Sequence, residues 1–161
     1  MYDRIPEALE RLAKESDADF IICDTGADSR IPLRVAEDFA NLALIVSEQS
    51  RTALRAAETT AVRLSECRNV KEVRLLINNF DIEAARRGGR AGILDMIDGC
   101  SIRCIGVLPE DRGVAARQDA GLMPHKASPL IPASRNIARR IQGIETPLFN
   151  GMKKERRRTV L

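Results

Sequence analysis

The chain is 161 residues long, 44% hydrophobic and 30% charged, with 3% aromatic residues and no Trp, which predicts one ordinary globular domain and excludes fibrous, collagen-like and wholly disordered classes. A chain of this size hides roughly 70% of the surface its unfolded form exposes, enough to fold without disulfides or metals. The formal net charge of +3 is local: five cations and one carboxylate between Lys153 and Arg158 carry +4 and the remainder sums to −1, so the body offers no general basic surface to polyanions.

Met1 to Glu15 is charged throughout and lacks a signal-peptide apolar stretch. No run approaches about 18 apolar residues, so neither export nor membrane spanning is expected. Cys23, Cys67, Cys100 and Cys104 include no C-x-x-C pair and read as reduced thiols of a cytoplasmic protein. Cys100 and Cys104 could share a metal ion, but with a single histidine, His125, a zinc set is short of ligands, and buried or idle thiols are the plainer reading.

In chain order, Ile5, Leu9, Leu12 and Ala13 recur at helical spacing behind Pro6, and Ser16 to Asp19 close that segment. Phe20-Ile21-Ile22-Cys23 is a buried-strand candidate ending at Asp24. A helix from near Pro32 leads to a second strand, Leu42 to Val46. Ser50 can then cap a long helix with Ala53, Leu54, Ala57, Ala61 and Leu64 on one face. Val73 to Ile77 is the third strand. A polar, Gly-rich stretch (Arg86 to Gly92) comes next, then a short helix around Ile93 to Ile97 and a fourth strand, Ile102 to Leu108. Helical segments near Gly113 to Ala120 and Ala133 to Gln142 flank a Pro-rich connection, Pro124 to Pro132.

Apolar strands separated by helices predict an α/β fold, a layered parallel sheet flanked by helices. In open parallel sheets, ligands bind beyond the carboxyl ends of the strands. Those ends read Asp24-Thr25-Gly26, Ser47-Glu48-Gln49, Asn78-Asn79-Phe80-Asp81 and Pro109-Glu110-Asp111. All four are polar and would suit a nucleotide with a metal ion.

Asp24, with Thr25 and Gly26 behind it, ends its strand as a Walker B strand ends, where the carboxylate holds Mg²⁺ through bound water. The same three residues are turn formers, and a plain strand-ending turn is the alternative. Asn78 carries an amide that can donate to and accept from a purine edge. With Asp81 it forms N-x-x-D, the guanine-reading spacing of many GTPases, although Asn79 stands where Lys is usual, and Asn-Asn is also ordinary turn chemistry. The sequence contains no G-x-x-x-x-G-K-[ST]. The cluster Arg87-Gly88-Gly89-Arg90-Ala91-Gly92 has no Lys-Ser/Thr and reads as a loop. Protease triads and paired-His metal mechanisms find no support, since His125 stands alone.

Taken together, DADFIICDTGAD, NLALIVSEQSRTALRAAET, VRLLINNFD and CIGVLPEDRGVAARQDAGLMP…SPLIPASRNIARRI resemble the later part of a MinD/ParA-type deviant-Walker P-loop ATPase, nearest to the MinD branch, from about Ile5 to Leu148. The resemblance implies a P-loop NTPase-like but incomplete sheet of four strands, ATP and Mg²⁺ as cofactors, and a role in placing the division septum. It assigns Asp24, Thr25 and Gly26 to the Walker B and switch segment, Asn78 to adenine recognition, and Pro109, Glu110 and Asp111 to the loop bordering the base. It favours adenine over guanine despite Asp81.

Members of that family begin with a strand and a K-G-G-x-G-K-[ST] loop, which has no counterpart here. The resemblance therefore implies weak or no ATP binding and no hydrolysis by this chain by itself. Because the P-loop strand lies between the strands that read Phe20 to Cys23 and Leu42 to Val46 here, those two are expected either to close up or to receive another polypeptide. A P-loop-bearing partner chain or a homodimer is the corresponding partner. An unfilled gap would expose apolar side chains and backbone groups.

The expected organisation is an α/β domain over residues 1–147 and a basic tail over 148–161. Leu148, Phe149 and Met152 precede Lys153, Lys154, Arg156, Arg157 and Arg158, and Val160-Leu161 end the chain. The tail is similar to the family's membrane-targeting helix, and each cation near an anionic surface is worth about 1 kcal/mol. A solvated tail and, less favoured, a nucleic-acid contact are the other readings. The leading expectation is the later part of a MinD-like ATPase, cytoplasmic and peripheral to the membrane, meeting division regulators. The alternatives are a non-enzymatic binding module and a ParA-like fragment positioning chromosomes or flagella.

Overall fold

The computed structural model describes residues 5–26 and 30–152. In chain order the elements are α1 (Ile5–Glu15), α2 (Arg30–Asp38), β1 (Leu42–Glu48), α3 (Arg51–Ser65), β2 (Glu72–Phe80), α4 (Ile82–Arg86), α5 (Ile93–Cys100), β3 (Cys104–Pro109), α6 (Arg112–Asp119) and α7 (Leu130–Ile141). Two compact units are distinguished, residues 1–43 with 60–73, and residues 44–59 with 74–161.

In the first unit α1 meets α2, and Val35, Ala36, Leu64 and Cys67 are buried. The Asn69 side-chain amide donates to the Glu37 carbonyl, and the Lys71 N–H donates to the Asn41 carbonyl. On α1 the pairs Arg11–Glu15 and Lys14–Glu10 span one turn at 2.9 and 3.6 Å. Both are solvent-exposed, so they add little to stability.

In the second unit the sheet has the order β1-β2-β3. β2 and β3 pair in parallel, with Leu75 opposite Cys104, Leu76 opposite Gly106, Ile77 opposite Val107 and Phe80 opposite Pro109. The helical crossovers between successive strands are what parallel neighbours require. Leu75, Ile77, Phe80 and Met96 are the largest fully buried side chains, joined by Ile45, Ala57, Ile93, Ile105, Val107 and Ile137. Cys100 on α5 donates its thiol to the Leu54 carbonyl of α3 at 3.7 Å. Helix α7 packs on β3, and half-buried Arg140 ties the next loop to that strand by donating to the Thr146 carbonyl at 2.7 Å and the Ile105 carbonyl at 2.9 Å. The Asn136 amide donates to the Asn150 carbonyl at 2.8 Å, and Met152 is buried.

The expected α/β architecture holds, with three strands rather than four. Phe20-Ile21-Ile22-Cys23 is not a strand: it runs as exposed coil, with Phe20 51% and Ile22 90% accessible. A strand exists only with a ladder partner, and none of the three described strands pairs with this segment. A second apolar surface is open on β1. Ile45 and Ser47 are buried, whereas Val46 between them is 59% accessible and Leu44 is also exposed. The remaining differences are local. The helix expected near Pro32 starts at Arg30, the third strand runs on to Phe80, and the fourth spans Cys104–Pro109. Helix α4 is too short to show a period, and its one sequence signal is Asp81 at the N-cap.

Gly106 sets how closely α7 approaches the sheet. A Cβ there would lie 2.2 Å from Ile137 Cγ1 and 2.7 Å from Cδ1. Gly106→Ala is expected to destabilise the chain by about 1–3 kcal/mol, the usual cost of overpacking, seen as a lower urea midpoint. Trimming Ile137 to Ala in the same chain should recover part of the loss; a Gly106→Ala chain as stable as the parent would contradict the contact.

The four cysteines are free, and only Cys23 is exposed. Burial pushes the Cys67 thiol up, with Glu37 and Glu66 adding to the shift. Burial and then Glu58 do the same for Cys100. For Cys104 burial outweighs the opposing hydrogen bond to Gly106 and the charge of Arg140. The thiolate is the nucleophile, so at about pH 7.5 a maleimide should label Cys23 first, with the other three lagging and gaining rate as the pH rises. Mass spectrometry of the labelled chain reads the order, and early labelling of Cys67 or Cys100 would refute the packing.

Candidate functional site

The carboxyl ends of the three strands carry side chains that bond to each other's backbones. Gln49, immediately after β1, is only 5% exposed. Its Oε1 accepts from the Asp81 N–H at 3.0 Å, and its Nε2 donates to the Ala91 carbonyl at 2.7 Å. At the end of β2, Phe80 offers its carbonyl to the Glu110 N–H at 3.0 Å, which joins β2 to the residue after β3. Asp111 then caps α6 by accepting from the Gly113 N–H at 3.0 Å, and its other oxygen accepts from the Ser128 hydroxyl. Ser128 in turn accepts from the Leu130 N–H at 3.2 Å, which fixes the start of α7.

The last turn of β2 is irregular. Its pairing with β3 shifts register between Ile77 and Phe80, and Asn79 adopts φ of +54°. Asn tolerates this left-handed conformation better than other side chains with a Cβ. The bulge re-aims the next two residues: Phe80 turns into the core, and Asp81 caps α4 by accepting from the Ala84 N–H at 2.9 Å.

Beside these ends lies a cleft of about 600 Å³ lined by Phe80, Asp81, Ile82, Glu83, Ala84, Arg86, Arg87, Pro109, Glu110 and Arg112. That volume is within the range of small-molecule sites. Phe80, Ile82, Ala84 and Pro109 supply apolar wall. Around the mouth, Arg86 pairs with Glu83 at 2.9 Å and Arg112 with Glu110 at 3.4 Å. Both pairs reach solvent, with Glu110 half-buried, so each contributes little to stability. Such a surface can sandwich a flat, partly apolar group and meet an anionic extension with guanidinium groups.

Of the residues expected from the sequence, Pro109 and Glu110 line the cleft and Asp111 sits next to it, acting in the structure as the tether between α6 and Ser128. Asn78 is half-buried at the bulge and is not among the lining residues. Asp81 lines the cleft with one carboxylate oxygen engaged in the helix cap, a structural use of the N-x-x-D spacing. Asp24, Thr25 and Gly26 form a turn in the first unit, with Asp24 and Gly26 exposed and Thr25 half-buried. There Asp24 Oδ1 accepts from the Gly26 N–H at 3.1 Å, and Gly26 takes φ of +64°, which only glycine adopts freely. Lys153, Lys154, Arg156, Arg157 and Arg158 lie outside the described residues. Sequence reading misses Ser128 as a partner of Asp111, and Ile82, Arg86, Arg87 and Arg112 as cleft residues. Asp111 before Arg-Gly carries a legible helix-cap signal; the Ser128 contact, seventeen residues away, carries none.

Among the described residues, no three His, Cys, Asp or Glu side chains cluster closely enough to hold a metal ion. Cys100 and Cys104 bond instead to separate backbone carbonyls. No described helix is long and apolar enough to cross a membrane.

No protein-family profile matches the chain. Curated relatives do. The chain is 28% identical over 153 residues to the septum site-determining protein MinD of Synechocystis sp., covering 93% of this chain and 56% of that protein. It is 28% identical over 148 residues to MinD of Bacillus subtilis, covering 89% and 55%. The chain thus spans about half the length of these relatives. Among solved structures, the MinD cell division protein of Aquifex aeolicus superposes with a TM-score of 0.79 at 23% identity, over 92% of this chain and 63% of that one. The MinC:MinD cell division protein complex from the same organism gives 0.78 at 21%, over 92% and 62%. The structural likeness carries the fold, and the curated relatives agree with the sequence segments: the chain is similar to MinD proteins of the MinD/ParA type.

Proposed function

We propose that the chain acts in placing the division septum, and that the cleft between α4 and the start of α6 takes the adenine of ATP. The observation that carries this reading is the cleft's position at the carboxyl ends of β2 and β3, where ligands of open α/β sheets bind, in a chain related to MinD proteins. The residues present fit a purine: Phe80, Ile82 and Pro109 offer apolar wall, and Glu110 and backbone groups offer hydrogen bonds. In this reading Pro109 and Glu110 border the base, with Asn78 and Asp111 beside them at the strand ends, and Asp24 is assigned to Mg²⁺ through bound water, with Thr25 and Gly26 as its switch segment. Asp24 Oδ1 is engaged by Gly26, and Oδ2 is the oxygen assigned to that water. The ion would neutralise charge on the terminal phosphates.

In the same reading this chain by itself binds ATP weakly and does not hydrolyse it, because its sequence contains no G-x-x-x-x-G-K-[ST] cradle. A phosphate-binding strand from another polypeptide is the proposed cover for exposed Leu44 and Val46. A division regulator is the proposed partner, since one structural neighbour is a MinC:MinD complex. The basic run Lys153 to Arg158 is assigned to an anionic membrane surface at the cytoplasmic face.

Titration with Mg-ATP, monitored by backbone amide NMR and by phosphate release, tests the nucleotide reading. Millimolar binding should shift the amides of Phe80 to Ala84 and Glu110 to Arg112, without turnover. Micromolar binding with turnover would refute the division of labour, and unshifted cleft amides at saturating ATP would refute the cleft. Co-sedimentation with vesicles tests the tail: capture by anionic but not neutral lipid, lost in high salt, is expected, whereas equal partitioning to neutral vesicles would count against it.

A further inference from the structure

The wall of the cleft formed by α4 is a short helix at the surface. This helix is five residues long and buries none of them, yet Ile82, Glu83, Ala84 and Arg86 all line the cleft. It comes directly after a bulge whose Asn79 is in a left-handed conformation. Ile82, Ala84 and Ala85 are only half-buried, and a helix this short gains too little from its own hydrogen bonds to hold a position. Its first turn is fixed by Asp81, and the Asp81 N–H is held by Gln49.

We infer that Gln49 is the positioning residue of this cleft: its buried amide clamps the Asp81 turn from one side and the Ala91 carbonyl from the other, and so sets where the α4 wall stands. The inference rests on reading the cleft as a base site. A primary amide suits the task because it presents an acceptor and a donor on one planar group. Oε1 serves Asp81 while Nε2 serves Ala91, two residues before α5 begins. A carboxylate would keep the first bond and turn an acceptor against the Ala91 carbonyl. A thioether of similar size would keep the volume and lose both bonds. Gln49 is not part of the cleft lining, so it acts through Asp81 and is not a catalytic residue.

The test uses the full chain, adenosine as the probe, and three variants. Ile137→Val serves as the control: it loosens the α7 packing on β3, away from the cleft. Gln49→Met should weaken adenosine binding, read from amide shifts, by about tenfold, the scale expected when two buried hydrogen bonds are lost. It should also abolish hydrogen-exchange protection at the Asp81 and Ala84 amides. Gln49→Glu should keep the Asp81 amide protected and lose part of the affinity. Ile137→Val should lower the melting temperature while leaving the adenosine affinity within about twofold, a separation that a merely structural role for Gln49 would not give.

Unchanged protection at Asp81 and Ala84 in Gln49→Met would overturn the inference, as would an affinity loss no larger than in the control. If adenosine shifts no cleft amide of the parent chain, the base reading fails on its own account. The exchange data then decide whether Gln49 positions the α4 wall.

Discussion

The second unit depends on one constraint: the backbone groups at the carboxyl ends of parallel strands run out of ladder partners together and must be satisfied some other way. Here side chains and neighbouring backbone do it. Gln49 serves the turn after β2 and the Ala91 carbonyl before α5, Phe80 serves Glu110, and Asp111 serves α6 and Ser128. Each bond contributes only about 1 kcal/mol net, but leaving such groups buried and unpaired costs more. The strand ends are therefore tied by polar contacts, whereas Leu75, Ile77 and Met96 hold the middle of the unit by apolar packing. That division explains why the cleft lies where it does. Apolar packing stops at Phe80 and Pro109, and the polar ties beyond them leave room between α4 and α6.

Two segments with the same apolar pattern show what the sequence can and cannot settle. Leu42 to Val46 and Phe20 to Cys23 both read as strands. The first is β1, hydrogen-bonded to β2, and the second is exposed coil. Pattern reports how well side chains suit a sheet, while a strand also needs a neighbour, which local sequence does not supply. Strands β2 and β3 and helices α3, α5 and α7 are legible because apolar periodicity and burial coincide there, as at Ala57, Ile93 and Ile137.

The site is legible in location more than in detail. That polar residues end each strand is evident from the apolar runs alone, and the general rule for parallel sheets then marks the edge. The use made of each residue is not legible, because Asp and Asn serve turns, caps and ligands with the same atoms. Asp81 and Asp111 are helix caps in this structure. Asn79 takes the left-handed turn that the bulge demands. Ser128 and Gln49 contribute through partners distant in sequence, and no local spacing encodes such contacts.

Strand β1 joins the two themes. It is the outer strand of the sheet, its Ile45 and Ser47 face the interior, and its Leu44 and Val46 remain exposed. Burying side chains of that kind is worth about 1.5–3 kcal/mol each when complete, so this surface is a source of association energy that the described fold leaves unused. The cleft sits at the β2 and β3 ends, away from that open edge, and Gln49, just after β1, bonds the Asp81 turn that opens α4. A fold arranged this way can keep its β2–β3 cleft while its outer strand meets other polypeptide.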